Sequence, residues 1–167
     1  MAKKHLSLLL FLFMLSLTSA AQEYSTYTYY EDDSLKLQLD FFAPSSDDGP
    51  SPLLLYVHGG GFGKGDRSGG HKLARYLSHR GVATASISYT LYMKDKDFGC
   101  NGVLSEKIMA IHMAANQLWL ATSYLVGKAE AFQIDPSQVF IAGSSAGAET
   151  VLHAAFWDRK LMDLYGE

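Results

Sequence analysis

A single cysteine, Cys100, leaves the chain no internal partner for a disulfide and so excludes a disulfide-stapled scaffold. No helix start or basic neighbour marks it as a reactive thiol. Charge of one sign is also missing: 14 Lys and Arg stand against 17 Asp and Glu, a net −3, and no basic cluster occurs. Such a balance offers nothing to nucleic acid or to an anionic lipid surface. His71, His79 and His112 lack metal-ligand spacing and read as surface or satisfied positions, so no metal and no cofactor are expected. The apolar run Leu6 to Leu17 has 12 residues, short of the roughly 20 that a transmembrane helix needs. Repeats and low-complexity segments are absent.

That apolar run has a different meaning. Lys3, Lys4 and His5 precede it, and Thr18-Ser19-Ala20-Ala21 follows with small residues. The order matches a cleaved secretory leader. Residues 1–20 are therefore expected to be a signal peptide, and residues 21–167 the folded part of a secreted or periplasmic protein. Cleavage would leave 12 basic residues against 17 acidic, a net −5.

Tyr24 to Tyr30 alternates tyrosine with serine and threonine, and Leu35, Leu37, Leu39 and Phe41 recur at every second position. The two runs predict a half-buried hairpin. Leu53 to Val57 is continuously apolar, as strands of parallel sheets are. A glycine-rich loop from Gly59 to Gly70 leads to a helix over His71 to His79, and Val82 to Ser88 is a further strand. Leu104, Ile108, Ile111, Ala115, Leu118, Leu125 and Ala129 predict one face of a long helix over about Val103 to Ala131. Trp119 reads as packing. Val139 to Ala142 is a last strand and Ala146 to Trp157 a last helix. Strands alternating with helices after an opening hairpin predict an α/β fold, a mostly parallel sheet with helices on both faces.

Chemistry concentrates at two turns. Gly143-Ser144-Ser145-Ala146-Gly147 follows the last strand and opens the last helix. The central serine of this G-x-S-x-G is Ser145, with glycine two residues to each side. Small neighbours there let strand and helix approach closely, and the helix start favours a developing anion. His58-Gly59-Gly60-Gly61-Phe62 follows the Leu53 to Val57 strand. Its bare amides, with the amide after the serine, suit a tetrahedral oxyanion. The glycines fit neither nucleotide pattern: Gly63-Lys64 has His58 where a P-loop needs glycine, and no G-x-G-x-x-G register exists.

The sequence resembles the α/β-hydrolases of the H-G-G-G type, the carboxylesterase group related to hormone-sensitive lipase. The resemblance runs from about Asp40 to Trp157, on HGGGF at 58–62, SYTL at 88–91, FQIDP at 132–136 and GSSAG at 143–147. It implies the α/β-hydrolase fold, with Ser145 as nucleophile and the amides of Gly60, Gly61 and Ala146 as oxyanion hole. It implies that His58 and Gly59 support the loop and take no part in proton transfer. Ser144 stands where the family often has aspartate, and Thr90 where it often has arginine.

The expected activity is hydrolysis of small carboxylic esters through an acyl-enzyme on Ser145. A serine peptidase on the same fold, or a non-catalytic binding protein that keeps it, are the alternatives. In this fold the triad acid and histidine follow the serine in sequence. After Ser145 come only Glu149, His153, Asp158, Asp163 and Glu167. His153 lies eight residues along the same helix, about 12 Å further up its axis. The chain is therefore expected to be the N-terminal part of a longer enzyme, and inactive alone.

Overall fold

The computed structural model describes residues 23–45 and 49–156. The expected leader, and Trp157, Asp158, Asp163 and Glu167, lie outside these.

Five strands form one sheet in the order β1-β2-β4-β3-β5. β1 (Ser25–Glu31) and β2 (Lys36–Phe42) make the expected antiparallel hairpin. Its turn is organised by Asp32, whose carboxylate accepts from the amides of Ser34 and Leu35. β2 pairs antiparallel with β4 (Ala83–Ile87), and β3 (Ser51–Val57) lies parallel between β4 and β5 (Ile134–Gly143). β5 has one neighbour, β3, so its outer edge is open among the described residues.

Alternation along the strands divides the side chains between two faces. Leu37, Leu39, Phe41, Leu53, Leu55, Val57, Ala83, Ala85 and Ile87 point to the main core, where α2 (Leu104–Val126) and α4 (Ala146–Phe156) cover them. The other face carries Phe42, Thr84 and Ser86 under α1 (His71–Ser78). β3 alternates between buried and half-buried positions, so it is sealed on one face rather than both.

Three expectations need correction. The helix foreseen over Val103 to Ala131 is two helices, α2 and the single turn α3 (Ala129–Phe132), because Gly127 ends the first. Its inward face also differs. Ala115, Leu118 and Leu125 are buried as expected, but Leu104 and Ile108 are exposed, and Ala110, Ala114 and Ala121 are buried in their place. Small side chains let α2 lie close against the sheet and α4, which a face chosen by bulk alone does not reveal. Trp119 is 42% exposed rather than packed. No helix among the described residues is long and apolar enough to cross a membrane.

Candidate active site

The ends of β3 and β5 point the same way because these strands are parallel and adjacent. That brings the turn after β3, residues 58–65, against the turn after β5, residues 143–147. Gly59 marks the contact: a Cβ there would sit 2.8 Å from the Ser144 carbonyl oxygen and 3.1 Å from Ser145 Cβ.

The β5 turn has the geometry its glycines permit. A Cβ on Gly143 would lie 2.3 Å from the Gly147 carbonyl oxygen, and one on Gly147 would lie 2.1 Å from the Val57 oxygen. No side chain fits in either place. Ser145 is held at φ +52°, a left-handed conformation that a non-glycine residue rarely adopts. The two serines thereby separate in role. Ser144 Oγ accepts a hydrogen bond from Tyr56 OH at 3.0 Å. Ser145 is exposed, immediately before the first residue of α4.

The β3 turn also runs through the left-handed region, with Phe62 its strained residue. Gly60, Gly61 and Phe62 have φ of +128°, +60° and +58°. The Gly60 carbonyl accepts from the amides of Gly63 and Lys64, closing a tight turn. Among the described residues, the amides of Gly60, Gly61 and Ala146 donate to no protein acceptor. Three open donors therefore sit on the two touching turns beside Ser145.

His58 does not face this opening as a base. It is buried, its ring stacks on Tyr89 at 4.3 Å, and its Nδ1 lies 2.8 Å from the Gly59 carbonyl. A carbonyl only accepts, so Nδ1 carries the proton. Burial also pushes the imidazole below its ordinary pKa, which keeps the ring neutral. Tyr89 completes the support by donating from its hydroxyl to the His58 carbonyl at 2.9 Å. The SYTL stretch holds Tyr89 in view, but nothing in the sequence says that its hydroxyl reaches the H-G-G-G turn.

Neither other histidine in question joins the site. His153 is buried between α4 and α2, edge-on to His112 at 6.4 Å, and burial and His112 both push its pKa down. His112 takes a contact from Asn116 Nδ2 to its Nε2 at 3.2 Å, as a satisfied position would. Cys100 is exposed and free. Among the described residues no cluster of three or more His, Cys, Asp or Glu could hold a metal ion.

A family model described as BD-FAE matches residues 39–163. Among curated proteins the chain is similar to isoprenylcysteine alpha-carbonyl methylesterase ICME of Arabidopsis thaliana, at 27% identity over 135 residues. The match covers 81% of this chain and 28% of that protein. A probable isoprenylcysteine alpha-carbonyl methylesterase ICME of Oryza sativa subsp. japonica is 28% identical over 116 residues, 70% of this chain and 25% of that one. Among solved structures, a thermophilic esterase of Thermogutta terrifontis, Est2 with propionate bound, superposes with a TM-score of 0.61 at 17% identity. It covers 79% of this chain and 45% of its own. A bacterial heroin esterase gives 0.62 at 22% identity, over 96% of this chain and 47% of that one. The chain thus spans about a quarter of the length of the curated relatives it matches, 28% and 25%. At these identities the structural likeness is one of fold.

Proposed function

This chain belongs to the BD-FAE family, an α/β-hydrolase esterase family, and on that footing we propose that it carries the nucleophile half of a serine hydrolase of small carboxylic esters. Ser145 Oγ attacks the acyl carbon and gives its proton to a general base. The amides of Gly60, Gly61 and Ala146 hold the oxyanion that forms on the carbonyl oxygen. Collapse expels the alcohol, which takes the proton, and leaves an acyl-enzyme on Ser145. Water activated by the same base then releases the acid. The observation that supports this reading most is Ser145 at φ +52° beside three amides with no protein acceptor. A donor that needs no rearrangement when charge develops is worth about 10²–10³ in kcat.

The base and its acid partner belong, in this proposal, to residues outside those described. Glu149 and His153 follow Ser145 on α4, but His153 turns towards His112 on α2. We assign residues 1–20 to export on the charge and hydropathy pattern alone. The names of the relatives point to esters rather than peptides, and a peptidase or a non-catalytic binding protein are the rivals.

One experiment separates them. The full-length protein is treated with a fluorophosphonate probe and assayed on p-nitrophenyl acetate and on peptide substrates. Labelling and ester turnover that vanish in Ser145→Ala and persist in Ser144→Ala are expected. Failure to label Ser145 in folded protein would favour the binding protein, and peptide cleavage through Ser145 the peptidase.

A further inference from the structure

The segment after β4 is irregular, yet it grips the β3 turn at both ends. Tyr89 donates to the His58 carbonyl at 2.9 Å and stacks on the His58 ring. Met93 donates from its amide to the Phe62 carbonyl at 2.9 Å. Gly59, Gly60 and Gly61 lie between these two carbonyls. Phe62 itself is fully buried, with its ring 6.1 Å from that of Tyr89. Phe62, a non-glycine residue at φ +58°, is thus held from residues 89–93 as well as by the turn's own bonds to the Gly60 carbonyl. Strained backbone of this kind persists only where its surroundings over-determine it.

The hydrogen bonds that tie residues 89–93 to α2 all come from a single side chain of that helix. The Thr90 amide donates to Gln117 Oε1 at 2.7 Å, and Gln117 Nε2 donates to Thr90 Oγ1 at 2.7 Å. Two bonds through one carboxamide set its orientation, since the oxygen must meet the N–H and the nitrogen the hydroxyl oxygen. Gln117 is 7% exposed on the inward side of α2, where its buried neighbours Ala110, Ala114, Ala121 and Leu118 are apolar. The residue before Tyr89 is tied to β2 through the Ser88 amide and the Gln38 carbonyl at 2.9 Å. Thr90 therefore carries the segment's tie to α2, between the two residues that grip the β3 turn.

We propose that Gln117 is a positioning residue for the oxyanion donors, acting through Thr90 on Tyr89 and Met93. The proposal rests on the reading of Gly60 and Gly61 as those donors. Gln117 touches no reacting atom. Its clasp sets where the 89–93 segment stands, and the segment sets where the two glycine amides point. Donor placement is the sensitive quantity, because a misplacement of about 1 Å from a distant change can cost about 10²-fold in rate.

The test uses full-length protein and four variants. Gln117→Leu removes both bonds at similar volume. Gln117→Glu keeps an acceptor for the Thr90 amide and turns the Thr90 hydroxyl into a donor to the second oxygen. Thr90→Val removes the hydroxyl alone, and Thr90→Ser keeps it. Gln117→Leu is expected to lower kcat on p-nitrophenyl acetate by about 10- to 100-fold, with KM changed by less than about 3-fold. The number of sites titrated by fluorophosphonate should stay at one per chain. Thr90→Val should lose part of the rate, and Thr90→Ser and Gln117→Glu should keep most of it. Deuterium uptake in the peptide spanning residues 58–65 should rise in Gln117→Leu, with uptake in β3 unchanged. A kcat within about 2-fold of wild type, or a loss matched by a fall in titrated sites, would overturn the proposal. Should wild-type turnover prove independent of Ser145, the proposed function fails. The exchange of residues 58–65 then decides the positioning role, and unchanged uptake refutes it.

Discussion

Ser145 sits at φ +52°, where a side chain with a Cβ meets its own backbone. The cost is about 1–2 kcal/mol, and only glycine escapes it. Two substitutions that both remove the hydroxyl should therefore differ in stability. Ser145→Gly is expected to be more stable than Ser145→Ala by about 1 kcal/mol, seen as about 2–4 °C in Tm, while neither labels with a fluorophosphonate. Equal melting temperatures would mean that the turn relaxes once the hydroxyl is gone. A second residue-scale outcome concerns pH. His58 and His153 have folded pKa values below the ordinary 6.5, both chiefly through burial. The unfolded chain then binds more protons than the folded one below that value. Their contribution is present above about pH 6.5 and lost as pH falls through the depressed folded values. Tm should be flat from pH 8 to 7 and decline below about 6.5, a decline that circular dichroism at stepped pH would follow. Ser145 and the H-G-G-G were legible in the sequence because each signature lies within five or six consecutive residues. Tyr89 and Gln117 were not, since their partners lie 31 and 27 residues away. Asp40 was hidden for a similar reason. It falls between Leu39 and Phe41 of β2, on the face that alternation assigns away from the core, and is nevertheless 3% exposed. Thr26, Arg67 and His71, from three other parts of the chain, hydrogen-bond its carboxylate.

At the level of elements, the first four strands were placed within one or two residues, because period-two patterns and apolar runs are local signals, whereas β5 starts at Ile134, five residues before the expected Val139, through the Asp135-Pro136 that reads as a break. Helix α2 was harder. Its buried alanines at 110, 114 and 121 carry little hydropathy contrast, so leucine and isoleucine drew the face around to residues that are in fact exposed. The end of the helical stretch also hinged on a backbone state that composition does not announce. Gly127 stops α2, and Gln133 stops α3 in the left-handed region at φ +52° and ψ +44°. Gln133 is exposed, and its role is carried by its backbone: its amide caps α3, and its carbonyl accepts from the Ser51 amide at 2.9 Å. Glycine is the usual residue at this position past a helix end. Gln133→Gly should therefore raise stability by about 0.5–1 kcal/mol, and Tm by about 1–4 °C. Gln133→Val should lower both, because a β-branched residue tolerates positive φ least. A loss of stability with glycine would show that unfolded-chain entropy outweighs the relief of strain.

Across the molecule, the sheet is asymmetric. One side ends in the hairpin β1-β2, with its turn tied by Asp32. The other ends in β5, which pairs with β3 alone. Beside that open edge the surface is apolar: Phe140 is 55% exposed, Leu152 58%, Phe156 83% and Trp119 42%. Leu118, Trp119, Val126, Val139 and Ile141 line a groove of about 430 Å³ between α2 and β5. An open strand with unpaired backbone groups and an apolar flank is a template for further pairing. The solved esterases it resembles are about twice as long, since it covers 45% and 47% of two of them. The 167-residue polypeptide, expressed alone, is therefore expected to self-associate and to bind the dye ANS. Light scattering behind a sizing column, run at 5 and at 100 μM, should show mass rising with concentration. Phe140→Lys places a charge on the edge strand, on the face opposite Val139 and Ile141, where it blocks edge pairing without entering the main core. It should lower the association measurably and leave the far-ultraviolet circular dichroism unchanged. A wild-type chain that stays monomeric at both concentrations, with no dye bound, would contradict the argument, because nothing among the described residues covers this edge.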